Sequence, residues 1–148
     1  MGQERVLSLE PSGVFSEVKR RLQATDEAVN VERLKGGAPF GGIRDIRAAV
    51  HRARIGGMLN PAELLDILLT SQAGRRLKKF LEALHEDYPI PLLIELTEPM
   101  TDHKAMEDRI RACIDENANV ADSATPELAR IRQELRGSES KAESVLSR

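Results

Sequence analysis

The sequence predicts an all-α fold, and three observations support that class. Apolar residues recur three and four positions apart along most of the chain, which is the period of an amphipathic helix. Asn60-Pro61 and Thr125-Pro126 each join a capping residue to a proline, as at the start of a helix. Little of the chain alternates between apolar and polar residues, so we expect at most a short extended piece around 117–121. The expected architecture is elongated and multi-helical, with one long central helix and an outgoing C-terminal helix.

The first predicted helix begins after Ser12, its N-cap, and ends at Gly36. Its apolar stripe, with charges on the other faces, consists of Val14, Val18, Leu22, Thr25 and Val29. The residues before Pro11 are too few for an independent helix.

Three glycine pairs, at 36–37, 41–42 and 56–57, frame the next segment. The first two pairs satisfy the spacing G-x-x-x-x-G of a phosphate-binding loop. Such a loop also needs Lys and then Ser or Thr directly after the second glycine, and a buried strand before the first. The sequence has neither, so these glycines are predicted to end helices and to form tight turns. Residues 43–54 are predicted to form a short helix with one packed and one basic face.

The central helix is predicted from Pro61 to about Glu86. Asn60 caps it, Pro61 takes the first helical position, and Glu63 faces the positive end of the helix dipole. One face carries Leu64, Leu65, Leu68, Leu77, Leu81 and Leu84. One or two helical turns are then expected at 91–97, a helix at 102–114, and a final helix that starts at 125–126. After Leu135 the apolar pattern weakens into the polar run GSESKAESVLSR.

Composition excludes several classes of protein. A net charge of −2 and a pI near 6.0 argue against a uniformly basic nucleic-acid binder but allow a local basic face. The single cysteine, Cys113, cannot form an internal disulfide and fits a reducing compartment. The sequence contains neither an apolar run of the roughly 18 residues that a membrane span needs nor a signal peptide. We therefore expect a cytoplasmic protein without a membrane partner.

Two basic clusters are the candidate nucleic-acid contacts, one on each side of the third glycine pair. The alternative is that they are ordinary solvated faces, which is the commoner role of such clusters. Only Phe80 adds an aromatic ring to either cluster, so a base-stacking platform is not expected. The candidate residues are Arg44, Arg47, Arg54, Arg75, Arg76, Lys78 and Lys79.

No group of residues has the pattern of a catalytic or metal site. The histidines match no metal-ligand spacing and are interpreted as surface or packing residues, and Cys113 is interpreted as a buried structural thiol. Ser123 beside Asp122 has no histidine after it, so a hydrolase triad is not predicted. Asp122, Asp115 and Glu116 lack the EF-hand spacing and would bind a cation only weakly. Within this chain we predict no catalytic residue, cofactor or metal.

Several runs of residues match the sequence motifs of one known protein family. DSATPELARIR at 122–132 resembles the family signature D-S-A-S-P-E-L-x-x-I-R, with Thr125 in place of Ser. Residues 36–46 are similar to its G-G-x-P-x-G-G-x-x-D-I segment, and 56–65 to G-G-x-L-x-P-x-E-L-L. GQERVLSLEPS resembles the end of the family's first helix, where Val6 replaces an alanine. These motifs occur in the family's order and cover nearly the whole chain. The chain therefore resembles the MutS-two family, bacterial paralogues of the mismatch-repair protein MutS.

The resemblance implies a non-catalytic core/lever module. Full-length members of that family are dimeric ATPases with a coiled-coil clamp and usually a nuclease domain. They act on branched DNA, suppressing homologous recombination, or on collided ribosomes in ribosome quality control. ATP, Mg²⁺ and the endonuclease residues would then belong to the parent protein, beyond Arg148.

On this view residues 1–135 are a core/lever domain whose first helix is truncated, and residues 136–148 begin a clamp-directed arm or form a frayed tail. The truncation would leave Val6, Leu7 and Leu9 exposed or paired with another copy. Two alternatives remain open. One is a module that binds nucleic acid directly through its basic helix faces, and the other is a self-association module.

Overall fold

A computed structural model describes the backbone of residues 2–146 and the side chains of residues 2–138. That part of the chain contains seven α-helices, a 3-10 turn and no strand, which confirms the all-α class. An isolated antiparallel bridge joins Ile114 to Val120, where a short extended piece was expected. The elements are α1 (Gly2–Leu7), α2 (Phe15–Lys35), α3 (Arg47–Arg54), α4 (Pro61–Asp87), α5 (Pro91–Thr97), α6 (Lys104–Cys113), the 3-10 turn (Asp122–Ala124) and α7 (Pro126–Leu146).

The chain divides into two units. Unit 1 comprises Met1–Asp45 and Leu69–Asp102, and unit 2 comprises Ile46–Leu68 and His103–Arg148. Helix α4 therefore starts in unit 2 and continues in unit 1. The predicted division at residue 135 stays a prediction, and α7 runs past that residue without a break.

The core of unit 1 is built on one face of α4. Leu77, Leu81 and Leu84 pack with Val31 of α2 and with Ile90, which precedes α5. Leu68, on the same predicted face of the helix but in unit 2, is also buried, whereas Leu64 and Leu65 of unit 2 are half-buried. Removing this apolar area from water is the main force that holds α2 and α5 against α4.

Helix α2 packs on a face other than its predicted apolar stripe. Its buried residues are Glu27 and Val31. Val14, Leu22 and Val29 are 58%, 65% and 40% exposed, respectively. The prediction of a helix is thus confirmed, but its apolar stripe lies in solvent.

Three hydrogen bonds to the Glu27 carboxylate explain why this acidic residue is buried in the core of unit 1. Its Oε2 accepts hydrogen bonds from the backbone N–H groups of Leu92 (2.9 Å) and Leu93 (3.0 Å), in the first turn of α5. Its Oε1 accepts a third bond from the Gln23 side chain at 3.0 Å. The first N–H groups of a helix have no partner within that helix, so Glu27 of α2 caps α5 from a distance.

Several helix boundaries differ from the sequence prediction. Residues 2–7 form a helix of six residues that buries none of them. The short basic helix begins at Arg47 instead of 43, and α6 begins at Lys104 instead of 102. Gly36 ends α2 as predicted, in a left-handed conformation with a φ of 69°. Val6, Leu7 and Leu9 are exposed, at 66%, 87% and 64%.

The second glycine of the 41–42 pair is required by its backbone conformation. Gly42 has a φ of +92°, whereas a Cβ there would make only ordinary contacts, 3.4 Å from an Arg76 side-chain nitrogen and 3.7 Å from the Cβ of Ala73. We expect Gly42→Ala to lower the free energy of unfolding by about 1–2 kcal/mol, because L residues are strained in this region. Gly41→Ala is the matched control, since a Cβ at Gly41 would meet no atom within 4 Å. Urea titration of both variants tests this, and equal stabilities would contradict it.

Candidate nucleic-acid interface

The seven predicted contact residues are divided between the two units. Arg44, Arg75, Arg76, Lys78 and Lys79 belong to unit 1, and Arg47 and Arg54 to unit 2. Each group is therefore described by itself. Nucleic-acid contact by any of them stays a prediction.

Three of the four cations on α4 bind groups within unit 1. Arg75 forms an ion pair with Asp102 at 3.2 Å, and its side chain is only 30% exposed. The Arg76 guanidinium donates a hydrogen bond to the carbonyl of Gly41 at 2.9 Å, and the Lys78 ammonium donates to the carbonyl of Met100 at 3.1 Å. These contacts hold the segments around 41 and 100–102 against α4. Lys79, by contrast, is exposed.

Arg44 is positioned by its backbone. Its N–H donates a hydrogen bond to the hydroxyl of Thr70 on α4 at 3.0 Å, and its side chain is exposed. The tight turn at 41–42 and this bond together fix where the Arg44 side chain leaves the surface.

Helix α3 has a mostly exposed surface. Only Ala49 is buried, and Arg47, His51 and Arg54 are exposed. The fourth arginine of this segment, Arg52, was not among the predicted contacts. It binds both carboxylate oxygens of Glu63, at 2.7 and 3.0 Å, and so ties α3 to the start of α4.

Glu63 also completes a capping box at the start of α4. Its backbone N–H donates to the Asn60 side chain at 2.9 Å, and its carboxylate accepts from the Asn60 backbone N–H at 3.0 Å. The bond from the Asn60 backbone, together with Arg52, holds the pKa of Glu63 below its ordinary value. The predicted cap is confirmed, and the reciprocal bond adds to it.

A pair of contacts, here called the α7 anchor, joins Asp122 to two arginines of α7. Asp122 accepts hydrogen bonds from Arg132 and, at 2.8 Å, from Arg136, one helical turn further on. Arg132 also donates to the backbone carbonyl of Val120 at 2.8 Å. With Leu135 these side chains line a shallow depression. This anchor, which lies largely in the DSATPELARIR run, was missed, although the i, i+4 spacing of Arg132 and Arg136 was a usable signal.

The hydrogen bonds from Arg132 and Arg136 hold the pKa of Asp122 below its ordinary value. The anchor is therefore complete above the ordinary Asp pKa of about 3.9, and it is lost as the pH falls through the lower pKa of the folded chain. We expect Arg132→Ala to raise the pKa of Asp122 toward the ordinary value in a carboxyl-carbon NMR titration. Arg130→Ala is the control, because Arg130 is 69% exposed and pairs with Glu134, at 3.8 Å, instead of with Asp122. An unchanged Asp122 pKa in Arg132→Ala would contradict the anchor.

Two of the three acidic residues considered as weak cation ligands, Asp122 and Asp115, have partners within the chain. The Asp115 carboxylate accepts hydrogen bonds from the backbone N–H groups of Asn117 and Asn119, at 2.9 and 2.8 Å. The bond from Asn119 makes the largest contribution in holding the pKa of Asp115 below its ordinary value. Among the residues that the structure describes, no three His, Cys, Asp or Glu side chains are grouped to hold a metal ion.

His85 and Cys113, which the sequence indicated as packing or structural residues, lie within the fold as follows. His85 accepts a hydrogen bond from the backbone N–H of Ile90 at 2.9 Å, at the corner between α4 and α5. Cys113 is a free thiol that is half-buried instead of fully buried. Within residues 2–146, no helix combines the length and apolar character needed to cross a bilayer.

Comparison with known proteins identifies relatives of this chain. It is 46% identical over 145 residues to Endonuclease MutS2 of Brevibacillus brevis, a match that covers 98% of this chain and 18% of that protein. It is 44% identical to Endonuclease MutS2 of Geobacillus sp. and 40% identical to that of Halalkalibacterium halodurans, each match covering 99% of this chain and 19% of the relative. No protein-family model matches.

The chain thus spans less than a fifth of the length of these curated relatives. The similarity nevertheless extends over almost every residue of the chain, including the segments that carry the capping box and the α7 anchor. The chain belongs to the MutS2 family, the MutS-two family of the sequence resemblance, as a segment of it.

Proposed function

We propose that this chain is a non-catalytic core/lever module of a MutS2-type ATPase and couples nucleotide-driven motion to a clamp around nucleic acid. The observation that carries the proposal is the α7 anchor. Asp122 binds Arg132 and Arg136 on successive turns of a helix of 21 residues. Two contacts from successive turns to one carboxylate restrict how α7 can tilt against the residues before it, so a movement of Asp122 would also move the helix.

The wider function belongs to the proposed longer protein. We propose that it acts on branched DNA, suppressing homologous recombination, or on collided ribosomes in ribosome quality control. The relatives of this chain are named Endonuclease MutS2, which supports a protein that acts on nucleic acid. In this proposal it is a cytoplasmic homodimer, and the sites for ATP, Mg²⁺ and the nuclease reaction lie outside the present chain.

The coupling role is tested in the longer protein encoded by the same gene. We expect Arg132→Ala to leave basal ATP hydrolysis unchanged and to reduce its stimulation by branched DNA or by ribosomes several-fold, because the direction of α7 is no longer fixed. Arg130→Ala is the matched control on the same helix. Full stimulation in Arg132→Ala would contradict the coupling role. The absence of a G-x-x-x-x-G-K-[ST] motif from the longer protein would contradict the ATPase assignment itself.

Direct nucleic-acid binding is a second candidate function, and the exposed cations favour it. Lys79 on α4 and Arg54 on α3 are exposed, whereas Arg75, Arg76 and Lys78 bind protein groups. Lys79 and Arg54 are therefore the most direct tests of phosphate contact. Substituting Arg75 would also remove its ion pair with Asp102 and would be harder to interpret.

We expect fluorescence anisotropy with a branched DNA to show binding that weakens steeply with salt. Lys79→Ala and Arg54→Ala should each reduce the slope of log K against log salt by about 0.9, the value for one lost phosphate contact. Lys35→Ala, in the last turn of α2, is the control and should leave the slope unchanged. A wild-type titration that stays flat at low salt would exclude this candidate function.

A further inference from the structure

Helix α2 has two opposite faces with different surroundings. Glu27 and Val31 are buried and Ala24 is half-buried, and these three residues face the core of unit 1. The opposite face, here called the outer stripe, is exposed. Phe15, Val18, Leu22 and Val29 are 82%, 36%, 65% and 40% exposed. Its members are Phe15, Val18, Leu22, Thr25 and Val29.

The spacing along the outer stripe alternates strictly between three and four residues. This is the heptad spacing of a coiled-coil seam, in which the side chains of one helix insert between those of a second helix. Single exposed apolar residues are ordinary on a protein surface. A run of them at seam spacing over two heptads instead fits the docking of a partner helix.

The charges beside the outer stripe indicate which kind of helix fits. In heptad terms the flanking positions hold four basic residues and one acidic residue: Lys19, Arg21, Asp26, Arg33 and Lys35. All five are exposed. Seams select partners through charges at these positions, and opposite charges attract. A second copy of α2 would bring two mainly basic flanks together, whereas a helix with acidic flanks would complement them.

We propose that the outer stripe is the docking seam for an amphipathic helix with acidic flanks, supplied by the longer polypeptide. The chain spans only 18% of its relative in Brevibacillus brevis, so most of a protein of that length would lie outside the structure. The proposal rests on the proposed function only in placing this chain within a longer protein. It assigns to α2 a role in attaching the module to the rest of that protein.

Thiol labelling tests where the partner helix comes from. Leu22→Cys and Leu96→Cys are matched, because the two leucines are 65% and 66% exposed and both lie on helices of unit 1. Each is made in a Cys113→Ser background. In the 148-residue chain both thiols should react with a maleimide at similar rates. In the longer protein the thiol at position 22 should react at least tenfold more slowly, at any protein concentration, while the thiol at 96 should stay reactive.

Two results would overturn this assignment. Equal labelling of position 22 in the short and the long protein would show that no helix of the longer polypeptide covers the stripe. Protection that appears only as the protein concentration rises would assign the stripe to a second copy.

Designed peptides test the chemistry of the partner. Two three-heptad peptides share leucine at the seam positions and differ in having either glutamate or lysine at the flanking positions. We expect the 148-residue chain to bind the glutamate peptide at least tenfold more tightly, with an affinity that falls with salt. Leu22→Asp should abolish this binding and Leu96→Asp should preserve it. Equal binding of the two peptides, or no binding of either, would overturn the proposal.

Neither experiment involves nucleotide or DNA. If the longer protein lacks ATPase activity while position 22 is protected, the proposed function fails and the docking seam stands. If its ATPase activity responds to nucleic acid while position 22 stays reactive, the docking seam alone fails.

Discussion

Replacement of Glu27 by alanine is expected to destabilise unit 1 by about 3 kcal/mol, because two half-buried N–H groups lose their carboxylate acceptor. Glu27 is 5% exposed, and its carboxylate binds the N–H groups of Leu92 and Leu93. The alanine cannot reach α5, and water has little access to replace the bond. The loss is shared between the capped helix and the contact of α2 with α5.

The measurement is urea unfolding combined with amide hydrogen exchange. In Glu27→Ala the amides of Leu92 and Leu93 should exchange faster than their neighbours, because their bonds are lost even in the folded state. Glu27→Gln keeps an acceptor oxygen and should cost less than the alanine. Glu82→Ala, at an exposed position of α4, is the control and should change stability by less than about 0.5 kcal/mol. Similar stabilities for the variants at 27 and 82 would contradict the capping role.

Leu84→Ala is expected to cost about 3–4 kcal/mol, the usual range for truncating a buried leucine. Leu84 is 2% exposed and belongs to the cluster formed with Val31, Leu77, Leu81 and Ile90. Alanine would leave a cavity between α4 and the residue that leads into α5. These helices are held together by few large side chains, so the cavity cannot be filled by small shifts alone.

Leu96→Ala is the matched control for this substitution. Leu96 lies on α5 and is 66% exposed, so its truncation should cost less than about 0.5 kcal/mol. The two variants should differ in the urea midpoint, with the same dependence of free energy on urea. A loss in Leu84→Ala as small as that in Leu96→Ala would show that the cluster contributes little to unit 1.

The features that the sequence predicted best depend on neighbouring residues. The cap at Asn60, the cap at Thr125 and the end of α2 at Gly36 are each decided within four residues, and all three are confirmed. Side-chain oxygens at the first position, and a glycine at the last, satisfy backbone groups that the helix leaves unpaired. The long leucine face of α4 was predictable because its leucines, from Leu64 to Leu84, recur on one side over more than five turns.

The packing of α2 was not predictable in the same way. Periodicity shows which residues share a face, but it does not show which face meets the core when a helix has two. Glu27 would be placed outside by its charge, and only the two N–H groups of α5, 65 and 66 residues further along the chain, explain its burial. The sequence contains no local signal for such a contact.

The partners of the basic residues on α4 could not be predicted from the sequence either. Arg75, Arg76 and Lys78 follow one another on α4, and the sequence suggests a single charged surface. Their partners lie 27, 35 and 22 residues away, at Asp102, Gly41 and Met100. Only the folded chain reveals that these three cations hold loops in place, and that Lys79 differs from them.

The anchor at Asp122 limits the angle at which helix α7 leaves the residues before it. Helix α7 has 21 residues and, at 1.5 Å per residue, is about 30 Å long. About 15 Å of that length lies beyond Arg136, so a tilt of about 10° at Arg136 moves the far end of the helix by about 3 Å, enough to break a hydrogen bond there. The displacement that a given tilt produces grows with distance from Arg132 and Arg136. The Asp122 carboxylate, which binds both arginines, therefore helps to align whatever the far end of α7 contacts.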